Sequence, residues 1–100
     1  MNPFMVVCTF RSGTDMADVM AVVGEEQAKV AELRAGGVIG AVYLATRDRG
    51  TVFLEVFADG PEGAREAVLS LPMARWWDLD VYPLNPPANP LAPINAPTSG

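Results

Sequence analysis

Histidine is absent from this 100-residue chain, and cysteine occurs once, at Cys8. A single cysteine forms no internal disulfide, and without histidine there is neither a Cys/His zinc site nor a serine or cysteine nucleophile served by a histidine base. No metal and no cofactor are therefore expected. Basic residues are also few: seven Lys and Arg (Arg11, Lys29, Arg34, Arg47, Arg49, Arg65, Arg75) stand against twelve Asp and Glu, for a net charge of -5. They form no stripe able to neutralise phosphates, so nucleic acid is not an expected partner. No apolar run approaches the roughly 20 residues that span a bilayer, and the N-terminus lacks a signal-peptide pattern, so a cytoplasmic protein without membrane contact is expected. "GGVIG" leads into a strand and matches no phosphate-loop spacing.

What is present describes a small acidic globular domain. Half the residues are apolar and 19% are charged, a balance compatible with folding rather than disorder. "FMVVCTF" (4–10) is an apolar, β-rich run without a polar face, as for a strand covered on both sides. Thr14 or Asp15 then offers a cap for one long helix with apolar positions at Val19, Val23, Val30 and Leu33, stopped by Gly36-Gly37. "VIGAVYLA" (38–45) and "TVFLEVF" (51–57) read as antiparallel neighbours joined by the polar turn "TRDRG". Asp59 and Pro61 open a second helix with Ala64, Ala67, Val68 and Leu71 on one side, ending before Pro72. "WWDLDVYPL" follows as a fourth strand.

The order βαββαβ predicts an α+β, ferredoxin-like unit: a four-stranded antiparallel sheet with two helices on one face. Residues 1–86 form this unit, and 87–100 form a proline-rich C-terminal tail that cannot join a sheet interior. Apolar residues on both sides of the strands imply a covered second face, and a second copy of the sheet is the simplest cover, giving a homodimer.

Proton transfer in such a chain falls to carboxylates of raised pKa, tyrosines, Cys8 or the substrate itself. Glu26 occupies the apolar stripe of its helix, where burial against a pocket wall would raise its pKa and suit it to general acid/base work. Alternatively it sits at the edge of the stripe and reaches solvent or Arg34. Glu55 shares a strand face with Phe53 and Phe57, directed at a partner or a cavity, or into an ion pair with Arg11 or Arg75. In the fourth strand Trp77, Leu79 and Val81 form the apolar set, while Asp78, Asp80 and Tyr82 form the polar one. Trp77 is then a core residue. Trp76, on the polar side beside Arg75, either lines a pocket for a planar or lactone-like ligand or covers a subunit contact. Tyr43 and Tyr82 are further candidate donors, and Cys8 reads as a small buried hydrophobe.

"LSLPMARWWDLDVYPL" resembles the C-terminal signature of the muconolactone Δ-isomerases, L-x-x-L-P-L-[FY]-P-Y-M-D-[IL]-x-V-x-x-L. Leu71, Pro72, Asp78, Leu79, Val81 and Leu84 match, while Val68 replaces the first Leu, Trp76 the Tyr and Trp77 the Met. "FMVVCTFRSGTDM" is similar to the opening strand, turn and Asp-Met pair, here Asp15 and Met16, and "GEEQAKVAELRAGG" places Glu26 on the family's helix glutamate and Gly37 on its glycine. The resemblance covers residues 4 to 88. It implies a ferredoxin-like subunit in a dimeric α/β barrel that can assemble into a decamer, and cofactor-free movement of a proton within an unsaturated lactone in aromatic catabolism. The family's L-W-R after the second strand is "VYLA" here, its histidine-bearing segment is "TRDRG", and its R-H-P is "NPP". A divergent member with another substrate is implied.

The expected function is a cofactor-independent isomerase or cyclase acting on a small unsaturated lactone or polyketide-like carbonyl compound. Glu26 or Glu55 is the proton shuttle, with Arg75 or Tyr82 at the enolate oxygen and Trp76, Asp78 and Tyr43 toward substrate. A cofactor-free oxygenase of specialised metabolism and a non-catalytic oligomeric ligand-binding or scaffold protein are the alternatives.

Overall fold

Alternation along the first strand sets the two sides of the sheet. In the computed structural model, which describes residues 1–85, β1 (Asn2–Phe10) buries Phe4, Val6 and Cys8 and leaves Met5 and Val7 half-buried on the other side. The proline-rich stretch 87–100, and with it the boundary expected at 86, lies outside the described residues. β3 (Thr51–Ala58) repeats the pattern, with Val52, Leu54, Val56 and Ala58 buried and Phe53, Glu55 and Phe57 opposite. β2 (Ile39–Ala45), β3, β1 and β4 (Trp77–Pro83) form one antiparallel sheet in the order β2-β3-β1-β4. This is the ferredoxin-like arrangement, in which the last strand pairs with the first through a register that sets Cys8 opposite Leu79 and Phe10 opposite Trp77.

One layer of helices covers the side carrying Val6 and Leu54. The expected single helix is two: α1 (Met16–Ala21), capped by the Asp15 carboxylate on Ala17 N–H at 2.9 Å, and α2 (Val23–Ala35). They meet at Val22, whose φ of -109° and ψ of 10° leave the helical region. The sequence there is Val-Val-Gly, two β-branched residues and a glycine, which pay little toward a continuous helix. The break still leaves Val19 and Glu26 buried. α4 (Pro61–Leu69) begins with proline in its first turn, is capped at Gly60 rather than Asp59, and buries Ala64 and Val68. Each large aliphatic side chain buried in this layer contributes about 1.5–3 kcal/mol relative to exposure.

Two connections differ from the expected ones. "TRDRG" is a turn of helix, α3 (Thr46–Arg49), ended by Gly50 in the left-handed region at φ 54°. The fourth strand starts at Trp77 rather than Trp76, because Pro72–Trp76 form a 3-10 helix. Tertiary hydrogen bonds hold that turn: Met73 N–H donates to Glu26, and Arg11 N–H donates to Trp76 O at 2.8 Å. Arg11 Nη1 also donates to Trp77 O at 2.7 Å, and Nη2 to Arg75 O.

β2 carries a bulge between Ile39 and Val42. A bulge leaves ladder groups unpaired, and here Ala41 N–H is met by Glu55 Oε1 at 2.9 Å. Glycine at position 40 makes room for that carboxylate, since a Cβ there would overlap Oε1 and press on the Phe57 ring at 3.0 Å. Gly40→Ala is expected to cost about 1–3 kcal/mol in urea unfolding by displacing the carboxylate from the bulge. The cost should be smaller in a Glu55→Ala background, and an equal cost in both backgrounds would show that the pairing is not what the glycine protects.

Candidate functional site

Between the α1–α2 pair and the β2–β3 side of the sheet lies a cavity of about 430 Å³. Its walls are Val19, Val23 and Val30 from the helices, Val42, Val52 and Leu54 from the strands, and Phe10, Met73 and Trp77 at one end. Met16, Met20 and Leu44, all exposed, form the rim. The volume falls in the range of small-molecule sites, which are apolar with a few placed polar groups.

Glu26 is the ionisable group in this lining among the described residues, and it is only 8% exposed. The spacing that put it on the apolar stripe of α2 places it in the wall, and it makes no pair with Arg34. Its Oε1 accepts from Met73 N–H at 2.8 Å, a bond that joins α2 to the 3-10 turn. Burial pushes the Glu26 carboxyl above the ordinary range, and the Met73 bond, which favours the charged form, opposes but does not cancel this. Burial, with the nearby Glu26 carboxylate added, pushes the Cys8 thiol up to about 12, which favours the protonated thiol over the nucleophilic thiolate.

Trp77 closes the cavity beside Phe10, their rings edge to face with centroids 5.8 Å apart. The indole is 4% exposed, and its Nε1–H is buried with no acceptor among the described residues. An orphan donor of this kind costs about 1–3 kcal/mol. The other polar side chains in the lining are those of Gln27 and Thr46, both exposed.

The remaining residues singled out in the sequence lie elsewhere. Glu55 is on the opposite side of the sheet, tied to the β2 bulge rather than to Arg11 or Arg75. Arg75 is exposed, its guanidinium 5.0 Å from the centre of the Trp76 ring and its Nε donating to Pro72 O at 2.9 Å. The Arg75–Trp76 stack therefore exists, but it belongs to the 3-10 turn, and neither residue lines the cavity. Asp78 meets Arg11 at 3.4 Å on the surface. Tyr82 donates to Asp80 Oδ2 at 2.9 Å, and this hydrogen bond to a carboxylate holds its hydroxyl above the ordinary range. Tyr43 is exposed on the open side of edge strand β2, opposite Phe53. Of the seven candidates, the cavity thus takes in Glu26 alone. The sequence reading missed Met16, Met20 and Met73 as lining residues and placed Trp77 in the core only. Met16, Val19, Met20 and Val23 recur at helical spacing, the pattern of any packed helix face, so periodicity could not distinguish a cavity wall from a filled core.

Among the described residues, no helix is long and apolar enough to cross a membrane, and no group of three or more Cys, Asp and Glu is placed to hold a metal ion. No protein-family model matches the sequence, and no curated protein matches it. Among solved structures the chain is similar to the crystal structure of a muconolactone isomerase, with a TM-score of 0.66 over 86% of this chain and 92% of that one, at 17% identity. That likeness establishes a shared ferredoxin-like fold for the unit that carries the cavity and Glu26.

Proposed function

We propose that this protein is a cofactor-independent isomerase or cyclase that moves a proton within an unsaturated lactone or a related enolisable carbonyl compound, with Glu26 as the acid/base. The observation that carries this reading is a carboxyl group of raised pKa in the wall of an otherwise apolar cavity. Such a carboxylate is a stronger base than one in water, and its acid form persists closer to neutral pH, so one group can serve both half-reactions. Glu26 removes the proton from the carbon beside the carbonyl, and the C–H electrons pass into a dienolate. The carboxylic acid then returns the proton to the far end of the conjugated system. The double bond has moved, and the enzyme is unchanged. Developing charge on the enolate oxygen needs a donor, and the unpaired Trp77 Nε1–H takes that role in place of Arg75 or Tyr82. The fold shared with a muconolactone isomerase supports the same class of chemistry.

The assembly that accompanies this reading is a homodimer packed through the open side of the sheet. Half-buried Met5, Val7, Phe53 and Phe57 lie together there, away from the cavity. The pairing buries them and leaves the helix side free for substrate.

Four outcomes are expected. Glu26→Gln, which keeps the shape and the Met73 acceptor, lowers turnover of β,γ-unsaturated butenolides by about 10²–10⁴-fold, read as growth of conjugated-product absorbance. Undiminished turnover removes Glu26 from the reaction, and oxygen uptake during turnover would indicate oxygenase chemistry instead. Trp77→Phe, which preserves the packing on Phe10, lowers kcat by about 10²-fold or more with a smaller change in KM. For stability, the native carboxyl holds its proton to higher pH than the unfolded one, so the native state binds more protons between the two pKa values and stability falls as pH rises through that window. Urea unfolding from pH 4 upward should show that decline in the native protein and lose it in Glu26→Gln. Val7→Asp should shift the protein from dimer to monomer in light scattering, and an unaltered mass would place the dimer contact elsewhere.

A further inference from the structure

Resting on the reading of Glu26 as the reacting group, we infer that the cavity selects an uncharged, apolar substrate bearing a single enolisable carbonyl, and that it discriminates against lactones carrying a carboxylate. The lining contains no Lys or Arg among the described residues. Of the cations close to it in the chain, Arg11 holds Trp77 O and Asp78 and Lys29 pairs with Glu32 at 3.0 Å, while Arg47 and Arg49 are exposed on α3, outside the lining, beside a separate depression that shares Leu44 and Thr46 with the rim. Residues 86–100 contain no Lys or Arg. A second carboxylate in this cavity would give up its hydration, gain no counter-charge and face Glu26. Buried charges in proteins are paired to avoid that situation.

The walls point the same way. Three of the five methionines of the chain, Met16, Met20 and Met73, line the cavity, and their unbranched thioether side chains adapt to apolar ligands of differing outline. The rim carries Met16, Met20 and Leu44, exposed by 49%, 61% and 69%, and the exposed polar side chains there, Gln27 and Thr46, are uncharged. Exposed apolar side chains clustered at an opening mark an entrance for apolar molecules. Against this background Glu26 is the buried ionisable side chain of the lining, and Trp77, which also lines the cavity, carries a buried Nε1–H with no acceptor among the described residues, enough polar groups for one carbonyl and its acidic C–H.

The test is calorimetric titration of the intact protein at pH 8 with two series of β,γ-unsaturated butenolides. One carries alkyl chains of increasing length, and the other carries chains of matching size ending in a carboxylate. Kd should fall about fourfold for each added methylene until the cavity is full. Each carboxylate should bind at least tenfold more weakly than its neutral counterpart, and this penalty should shrink in Glu26→Gln as the repulsion is removed. Equal or tighter binding of the carboxylates overturns the inference, as does the absence of saturable binding throughout the neutral series. Deuterium uptake at the enolisable carbon, followed in parallel, separates the two readings. If the neutral compounds bind as expected but exchange no faster with the native protein than with Glu26→Gln, the substrate class stands and the acid/base role of Glu26 fails.

Discussion

The hydrogen bond from Met73 N–H to Glu26 Oε1 joins parts of the chain 47 residues apart, and much of the molecule follows from it. It fixes the 3-10 turn against α2, and that turn determines where β4 begins and therefore where Trp76 sits. Had the strand begun one residue earlier with the same pairing, the side-chain alternation would still place Trp77 inward, but Trp76 would extend the polar face instead of stacking under Arg75 at the corner. The same bond accounts for how a carboxyl group can occupy the interior: one oxygen is satisfied by a backbone donor while the apolar surroundings raise its pKa.

Two glutamates that look alike in sequence, each embedded in an apolar pattern, have different tasks. Glu55 completes a strand, its carboxylate standing in for the ladder partner that the β2 bulge removes from Ala41. Gly40 is the counterpart of that arrangement, leaving space for the side chain. Glu26 also accepts one backbone N–H, yet it does so in the wall of a cavity, with apolar side chains around it. The distinction is one of surroundings rather than residue type.

The cavity and the open face of the sheet are separate surfaces. The open sheet side carries Met5, Val7, Phe53 and Phe57, while the helix side holds the space between α1–α2 and β2–β3. The cavity combines largely apolar walls with one ionisable side chain among the described residues, that of Glu26, and no Lys or Arg lines it.

The apolar run "FMVVCTF", alternation of period two in "TVFLEVF" and "WWDLDVYPL", helical spacing from Val19 to Leu33, and Pro and Gly at the joints determined the βαββαβ order and the inward sets of β3 and β4. These signals are local, so they survive in a linear reading. The same spacing brought out Glu26, because a charge on an apolar stripe is visible without knowing what packs on it. Tertiary structure alone decided the rest: the helix break at Val22, the 3-10 turn held by Glu26 and Arg11, the bulge under Glu55, and the placement of Arg75, Trp76, Asp78, Tyr82 and Tyr43 outside the cavity. Each of these depends on donors and acceptors distant in sequence, or on volume left unfilled between elements. Neither is encoded in the period of any single segment.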